Sequence, residues 1–528
     1  MKRNVLFLSL LSIVLFSCAR KEQASTPATP DPSLRLDSLK VTNYNTFKIY
    51  GTIKVPSWIK DASYGIVHSI DTPPTLQIGI DVPLGNIKDS LQFSKVLEGL
   101  PGGKSYYFRA YVKGSGKVWY SVELQSFTAL LKAEIPADLK ISRKAQMDVT
   151  TNLTFTNSTP DADLEVLIGT HKVQITSVAN NNILFTVPAS IPPGDYKITV
   201  KKGIYSAVTT KTIRILEGIW QDLAVPPFTA RARTAYFVLN NKGYIVGGTP
   251  SAVNAEGTNE VWAYDLSSRS WAQKNNFPTT MIRDAIAFNV NNKIYLLGGM
   301  TGYINGFEQF NSSIWEYDPV SDNWIRKASV PESSMLRVQS TGLAHNNRIY
   351  FGTGAGPTDH LYRDWMEYDP AQNKWNMLES FLDMGRKACA SFQVNNKIYL
   401  VGGDLFSAVL DDLWEFDITA NTWVRVTGKP IYGDRTGTAA VAIKGIPYIY
   451  GGAYRTLGGT GYVYINRNDC WKFDPVSKTW TEVATYTGTS APLCQPAIFP
   501  TTNGFILYGG SSGDLWQSSS AFTDFTAD

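Results

Sequence analysis

The sequence predicts an all-β chain: two small β domains followed by a closed ring of repeated β-sheets. Three observations carry this. At 528 residues the chain is too long for one hydrophobic core. After the first residues no long stretch has helical periodicity, whereas aromatics are plentiful and glycine and proline punctuate the whole length. Finally, the phrase NNKIYLLGGM at 291–300 returns almost unchanged as NNKIYLVGGD at 395–404. The formal net charge of +4, without a basic run, gives no footprint for nucleic acid as a partner.

The N-terminus is a processing signal and stands outside the fold. Met1-Lys2-Arg3 is its charged start and Val5 to Phe16 its apolar stretch, too short for a comfortable transmembrane helix. Leu15-Phe16-Ser17-Cys18 resembles the lipobox of bacterial lipoproteins. That resemblance implies a signal peptide over 1–18, cleavage before Cys18 and a diacylglycerol on its thiol. The expected location is therefore the cell envelope, at the outer membrane or cell surface of a Gram-negative bacterium. Residues 19–33 (ARKEQASTPATPDPS) are rich in Pro, Thr and Ser and read as a flexible tether. Only Cys389, Cys470 and Cys494 then remain, an odd count at wide spacing that argues against a disulfide framework. A Cys470–Cys494 bridge stays open.

Residues 34–130 alternate in short strands. The segment LPGGKSYYFRA at 100–110 resembles the end of a fibronectin type III domain. The resemblance implies that the Tyr106 hydroxyl ties back to the preceding loop. Phe108 and Ala110 follow Tyr106 on one strand face by period two. In the next module, 133–217, VPASIPPGDYKITV at 187–200 resembles the closing strands of an IPT/TIG immunoglobulin-like domain, with Tyr196, Ile198 and Val200 alternating on one face. Neither module shows a catalytic or metal-binding group, so both are expected to act as stalk.

The opening phrase recurs six times, as NNKGYIVGG (240–248), NNKIYLLGG (291–299), NNRIYFGTG (346–354), NNKIYLVGG (395–403), KGIPYIYGG (444–452) and NGFILYGG (503–510). Asn-Asn suits a tight hairpin turn, the β-branched and aromatic run a strand, and Gly-Gly a strand end with positive φ. A second phrase, such as VWAYDLSSRSW or LWEFDITANTW, follows each of the first five and ends at Trp271, Trp324, Trp375, Trp423 or Trp480. Self-similarity at about 50 residues with these signatures resembles the kelch β-propeller family over 218–528. The sixth unit has Gly509-Gly510 and Trp516 but no final Trp strand, and Trp220 in GIWQDL supplies it from the other end. The fold class is thus all-β: two immunoglobulin-like β-sandwiches, then a six-bladed kelch β-propeller closed by the N-terminal Trp220 strand.

Strand direction alternates within a blade, so the short Asn-Asn and Asp-Pro turns share one face. The long, dissimilar loops after Gly-Gly occupy the other, where recognition is expected. An arginine precedes the innermost strand in five blades: Arg233 (with Arg231 nearby), Arg283, Arg337, Arg386 and Arg435, while the sixth offers Cys494 and Gln495. Arginines at a channel mouth can hold a carboxylate or another anion. The loops also carry Tyr303, Phe307, Phe310, Tyr362, Phe406, Tyr454, Tyr462 and Tyr464, whose faces suit sugar rings or protein hot spots.

A copper oxidase of the galactose oxidase type needs a histidine pair that His345 and His360 do not provide: His345 abuts a tight turn and His360 is alone in its loop. A sialic acid mutarotase of the kelch type needs an acid/base group near a carboxylate-binding arginine. Asp284 beside Arg283 and Asp434 beside Arg435 are available for that alternative. The reading leans away from an enzyme, without cofactor or metal, towards a binding head for a glycan or a protein ligand.

Overall fold

The computed structural model describes residues 29–527, except 44–45, 71–72, 103, 156–157, 251–256, 332–335, 428–432, 459–460, 487–493, 513–516 and 520. The signal peptide, Cys18, most of the tether and Trp516 lie outside the described residues. The chain divides into two compact units, Met1–Leu131 and Lys132–Asp528.

In the first unit one sheet sets Thr46–Lys54 between Ser33–Asn43 and Ser90–Leu97. The other is built around Ser63–Ser69 and Lys104–Gly114. Their inner faces meet through Phe47 and Phe108, whose rings lie 4.8 Å apart edge to face. Tyr106, Phe108 and Ala110 all point into this core, as period two requires. The Tyr106 hydroxyl donates to the Pro101 carbonyl at 3.0 Å, the tie expected from the sequence.

The second unit begins with a module of two sheets, one around Gln146–Phe155 and the other around Leu164–Ile168 and Ile198–Lys202. Ile198 and Val200 are fully buried, but Tyr196 is not on their strand. It ends a separate short strand, Gly194–Tyr196, that pairs with Ile213–Asp222 instead. The chain changes sheets at Lys197, so period two fails across that step.

Six blades follow, five of them separate four-stranded antiparallel sheets and the sixth four antiparallel strands of a larger sheet, each running from an innermost strand to an outer Trp strand. Innermost strands Ala235–Leu239, Ile286–Val290, Thr341–His345, Ala390–Val394, Ala439–Ile443 and Ala497–Pro500 pack each against the next, and the sixth returns to the first. This closes a six-bladed propeller. In the repeated phrase, Asn291 and Asn292 have φ of 53° and 60°, the paired left-handed geometry of a type I′ hairpin turn, and Asn240–Asn241 and Asn346–Asn347 repeat it. Ile294 to Leu297 are buried. At Gly299, φ is +90° and a Cβ would lie 2.7 Å from the Arg283 carbonyl, so a side chain is excluded twice over. In the second phrase Asp265 Oδ1 accepts from the amides of Ser267 and Ser268, and Asp318, Asp369, Asp417 and Asp474 serve the same turn in their blades.

The last blade is built from both ends of the ring. Ile219–Asp222 pairs with Thr523–Thr526, and Phe522–Thr526 pairs with Gly504–Tyr508. The same strand, Ile213–Asp222, carries residues 213–216 in a sheet with Leu139–Arg143 of the preceding module. One uninterrupted strand therefore belongs to both, and no linker separates them at residue 217. Ser142 Oγ donates to the Thr485 carbonyl at 2.9 Å and accepts from its amide at 3.1 Å. Lys140 pairs with Glu482, and Lys472 reaches Glu217 at 2.6 Å. Cys389, Cys470 and Cys494 are free thiols, so the Cys470–Cys494 bridge is not formed. Cys470 is packed in the core beneath Trp220, and the Cys494 thiol faces the Thr436 carbonyl.

Candidate ligand-binding site

Each segment leading into an innermost strand meets the residue just past the Gly-Gly position through a single bridge: 232 with 249, 283 with 300, 338 with 355, 387 with 404, 436 with 453 and 494 with 511. These bridges mark the end of the ring opposite the Asn-Asn turns, and they give a common register for the six blades. In that register Arg231, Arg337, Arg386 and Arg435 are equivalent. Arg283 stands one position later and Arg233 two, with Ile282 in the arginine position of blade 2.

The four equivalent arginines are buried. Each donates to the carbonyl sixteen residues on, at Gly247, Thr353, Gly402 or Gly451. Each also meets a carboxylate of its own blade: Arg231–Glu260 at 2.7 Å, Arg337–Asp364 at 2.6 Å, Arg386–Asp412 at 2.6 Å and Arg435–Asp469 at 2.6 Å. The anion that the sequence assigned to a ligand at Arg337, Arg386 and Arg435 is thus a protein carboxylate. Their guanidiniums brace the loop to the third strand and are closed to solvent. A signal for this pairing lies in the sequence. The third strands open Glu260-Val-Trp, Asp364-Trp-Met, Asp412-Leu-Trp and Asp469-Cys-Trp, and the blade with Ile282 has Ser313-Ile-Trp instead. Acid and arginine are present or absent together.

The residues one position past each bridge form a second ring. Arg233, Asp284, Gln339, Ala388, Gly437 and Gln495 all have φ between 52° and 63°. Successive members are joined by backbone hydrogen bonds, Asp284 N to Arg233 O at 2.9 Å, Gln339 N to Asp284 O at 3.2 Å, Ala388 N to Gln339 O at 2.9 Å, Gly437 N to Ala388 O at 2.9 Å and Gln495 N to Gly437 O at 2.7 Å. All six line a central cavity of about 460 Å³ between the innermost strands, within the ~300–1,000 Å³ of small-molecule sites. Two of the predicted arginines belong to this mouth. Arg233 clasps Asp284 through Nε at 2.7 Å and Nη2 at 2.6 Å. Arg283 donates to the Tyr303 hydroxyl at 2.9 Å, with Glu308 at 3.8 Å, and burial together with nearby Arg233 lowers its pKa.

Sequence reasoning missed Lys387 and Asp404. Burial draws the Lys387 ammonium below the usual lysine range; Asp404 opposes this and Arg233 adds to it. Lys387 Nζ lies 3.9 Å from the Phe406 ring centroid. Asp404 is buried and accepts from the Tyr464 hydroxyl at 2.7 Å, which with burial pushes Tyr464 up to about 12. Lys387 lies outside the repeated phrases and Asp404 is the variable last residue of one of them, and a bridge sets the two side by side.

Two hairpins rise from this face, Met300–Ile304 with Phe307–Phe310 and Ala453–Gly458 with Gly461–Asn466. Phe307 is 74% exposed, Tyr462 62% and Tyr303 40%. Phe310 is half-buried. Cations cover one face of several aromatics: Arg455 on Tyr462 at 4.2 Å, Arg467 on Tyr454 at 4.6 Å and Arg337 on Tyr362 at 4.2 Å. His360 packs on Tyr362 and His345 bonds to Asn396 beside a hairpin turn. Among the described residues, no group of three or more His, Cys, Asp or Glu side chains is placed to hold a metal ion.

A ring of six such blades, with its arginine–carboxylate braces and a cavity under the long loops, defines a kelch-type β-propeller. The model of the KLHDC2/KLHL20/DRC7 Kelch-repeats domain matches residues 215–403 and 343–525, and the chain belongs to that family. Human Kelch domain-containing protein 10 is 23% identical over 257 residues, 44% of this chain and 55% of the relative. Kelch-like protein 25 of Xenopus tropicalis is 24% identical over 271 residues, 49% of this chain and 41% of the relative. The chain thus spans about half the length of these relatives. The solved structure titled "Structure of YjhT" superposes with a TM-score of 0.48 at 15% identity, over 57% of this chain and 96% of that one.

Proposed function

We propose that this protein is a cell-envelope lipoprotein, anchored through Cys18, whose propeller is a non-catalytic binding head for a glycan or a protein ligand. The fibronectin type III-like and IPT/TIG-like modules carry the head away from the membrane surface. One observation carries the reading: exposed aromatics on two projecting hairpins stand on the same face as the mouth of a central cavity large enough for a small ligand. Rigid rings with variable loops use that combination for recognition. The acid needed for mutarotase-like chemistry is poorly placed. Asp284 is held through both oxygens by Arg233, and Asp434 pairs with Arg467 at 3.5 Å.

The test is retention of the full chain on an array of glycans and surface proteins, repeated with Phe307→Ser and Tyr462→Ser. Retention that falls with these changes supports the head; retention indifferent to them puts the ligand elsewhere. Accelerated anomer exchange of sialic acid, followed by NMR, would establish an enzyme instead. Release of the chain from membranes by Cys18→Ala tests the anchor.

A further inference from the structure

The mouth of the cavity is asymmetric, and the asymmetry has chemical content. Around the left-handed ring, four consecutive blades (6, 1, 2 and 3) contribute Gln495, Arg233, Asp284 and Gln339, whereas blades 4 and 5 contribute Ala388 and Gly437. Positive φ costs a non-glycine residue of order 1 kcal/mol, and five of the six positions carry one. Of the four polar members, Arg233 and Asp284 neutralise each other at 2.6–2.7 Å. The carboxamides of Gln339 and Gln495 make no hydrogen bond to protein among the described residues, and both line the cavity. Both residues are half-buried, so their carboxamides keep hydrogen-bonding capacity for a partner from outside.

We infer that the central cavity is a binding site for a neutral, hydroxyl-rich ligand, the non-reducing end of an uncharged oligosaccharide, held by the Gln339 and Gln495 carboxamides. This rests on the binding-head reading above and names its ligand class. A carboxamide offers one acceptor and two donors side by side, which matches adjacent hydroxyls that each donate and accept. An anion finds no such welcome. Arg233 is committed to Asp284, Arg283 to Tyr303 and Glu308, and the arginines of the outer ring to their own carboxylates. Recruiting Arg233 or Arg386 would strand a buried carboxylate, Asp284 or Asp412. The small side chains of Ala388 and Gly437 leave space on that side of the ring.

The experiment is calorimetry on the full chain with neutral oligosaccharides ending in glucose, galactose or N-acetylglucosamine, against sialylated and uronic acid-terminated ones. A neutral sugar is expected to bind with little dependence on salt, and Gln339→Ala and Gln495→Ala are each expected to weaken it about tenfold, the loss of roughly one hydrogen bond. Melting temperatures of both variants should match the parent, which separates lost contact from lost fold. Binding restricted to anionic sugars, weakened by salt and by Arg283→Ala, overturns the inference while leaving the binding head standing. Neutral binding that ignores both glutamines but falls with Tyr462→Ser does the same, moving the site to the hairpins. If no sugar binds and no array ligand is retained, both readings fail together.

Discussion

Trp220 and Phe525 are register partners on neighbouring strands of the last blade, their ring centroids 4.9 Å apart, although they come from opposite ends of the propeller. Tyr450, Tyr486 and Phe505 complete the cluster around the indole, at 5.1, 5.5 and 5.9 Å. This contact closes the ring, and it lies on the strand shared with the preceding module.

Trp220→Ala is expected to destabilise the second unit by about 3 kcal/mol, towards the lower end for a large aromatic because the indole is only half-buried. Gly218→Val should do at least as much, since any Cβ there collides with the Phe525 ring. Thermal unfolding of the full chain checks both. Because the strand is continuous, the module at 133–217 and the propeller should melt in one transition, and chains starting at Gly218 should melt earlier than chains starting at Lys132.

Arg386→Gln tests whether the outer arginine ring is a brace. The change leaves Asp412, 5% exposed, facing an uncharged group in the interior. The expected loss of stability is about 3–5 kcal/mol, read as a lower melting temperature. An unchanged melting temperature with weakened ligand retention would return Arg386 to the binding surface.

Glu415 links two blades. It accepts from Tyr399 at 2.7 Å in its own blade and from Lys478 of the next at 2.5 Å, with Lys397 on its other oxygen. Burial works to raise its pKa, but the hydrogen bonds from Lys397, Lys478 and Tyr399 outweigh it and bring it down to about 2. A carboxylate whose folded pKa is depressed adds stability above its unfolded pKa and loses it as pH falls through the folded one. The window is therefore about pH 4.5 down to about 2. Allowing for solvent screening, Glu415→Gln should cost about 1–2 kcal/mol at neutral pH, and parent and variant should converge near pH 2. Denaturant titrations across that range read it directly.

Tyr106→Phe removes only the hydroxyl that donates to Pro101. The first unit should lose about 1 kcal/mol, with the melting of the propeller unchanged. Equal shifts in both transitions would count against two separately folding units.

Much of the propeller was legible because its repeats are local. An Asn-Asn pair takes left-handed φ by its own chemistry, four apolar residues follow, and Gly-Gly ends the strand wherever φ must be positive. The missing Trp strand of the sixth unit pointed to Trp220 by counting alone. The site was less legible. The arginines near the innermost strands looked equivalent in the sequence, yet Arg231, Arg337, Arg386 and Arg435 share one register while Arg283 and Arg233 fall one and two residues later. The spacing to the Gly-Gly position records the shift, sixteen residues for each brace against fifteen from Arg283 to Gly298 and fourteen from Arg233 to Gly247. What each spacing does to the side chain is decided by how the blades pack.

Fold class, blade number, the identity of the closing strand and the face carrying long loops are thus determined by the sequence alone, because each follows from periodicity and turn chemistry within a few residues. Tertiary structure decided which polar groups are spent and which are free. The Arg337–Asp364, Arg386–Asp412 and Arg435–Asp469 pairs each form across about thirty residues of chain, and Arg233, Asp284, Gln339 and Gln495 converge only when the ring closes. The physical reason is that charge pairing depends on distances across a folded blade, and cavity shape on distances between blades, neither of which a short stretch of sequence contains.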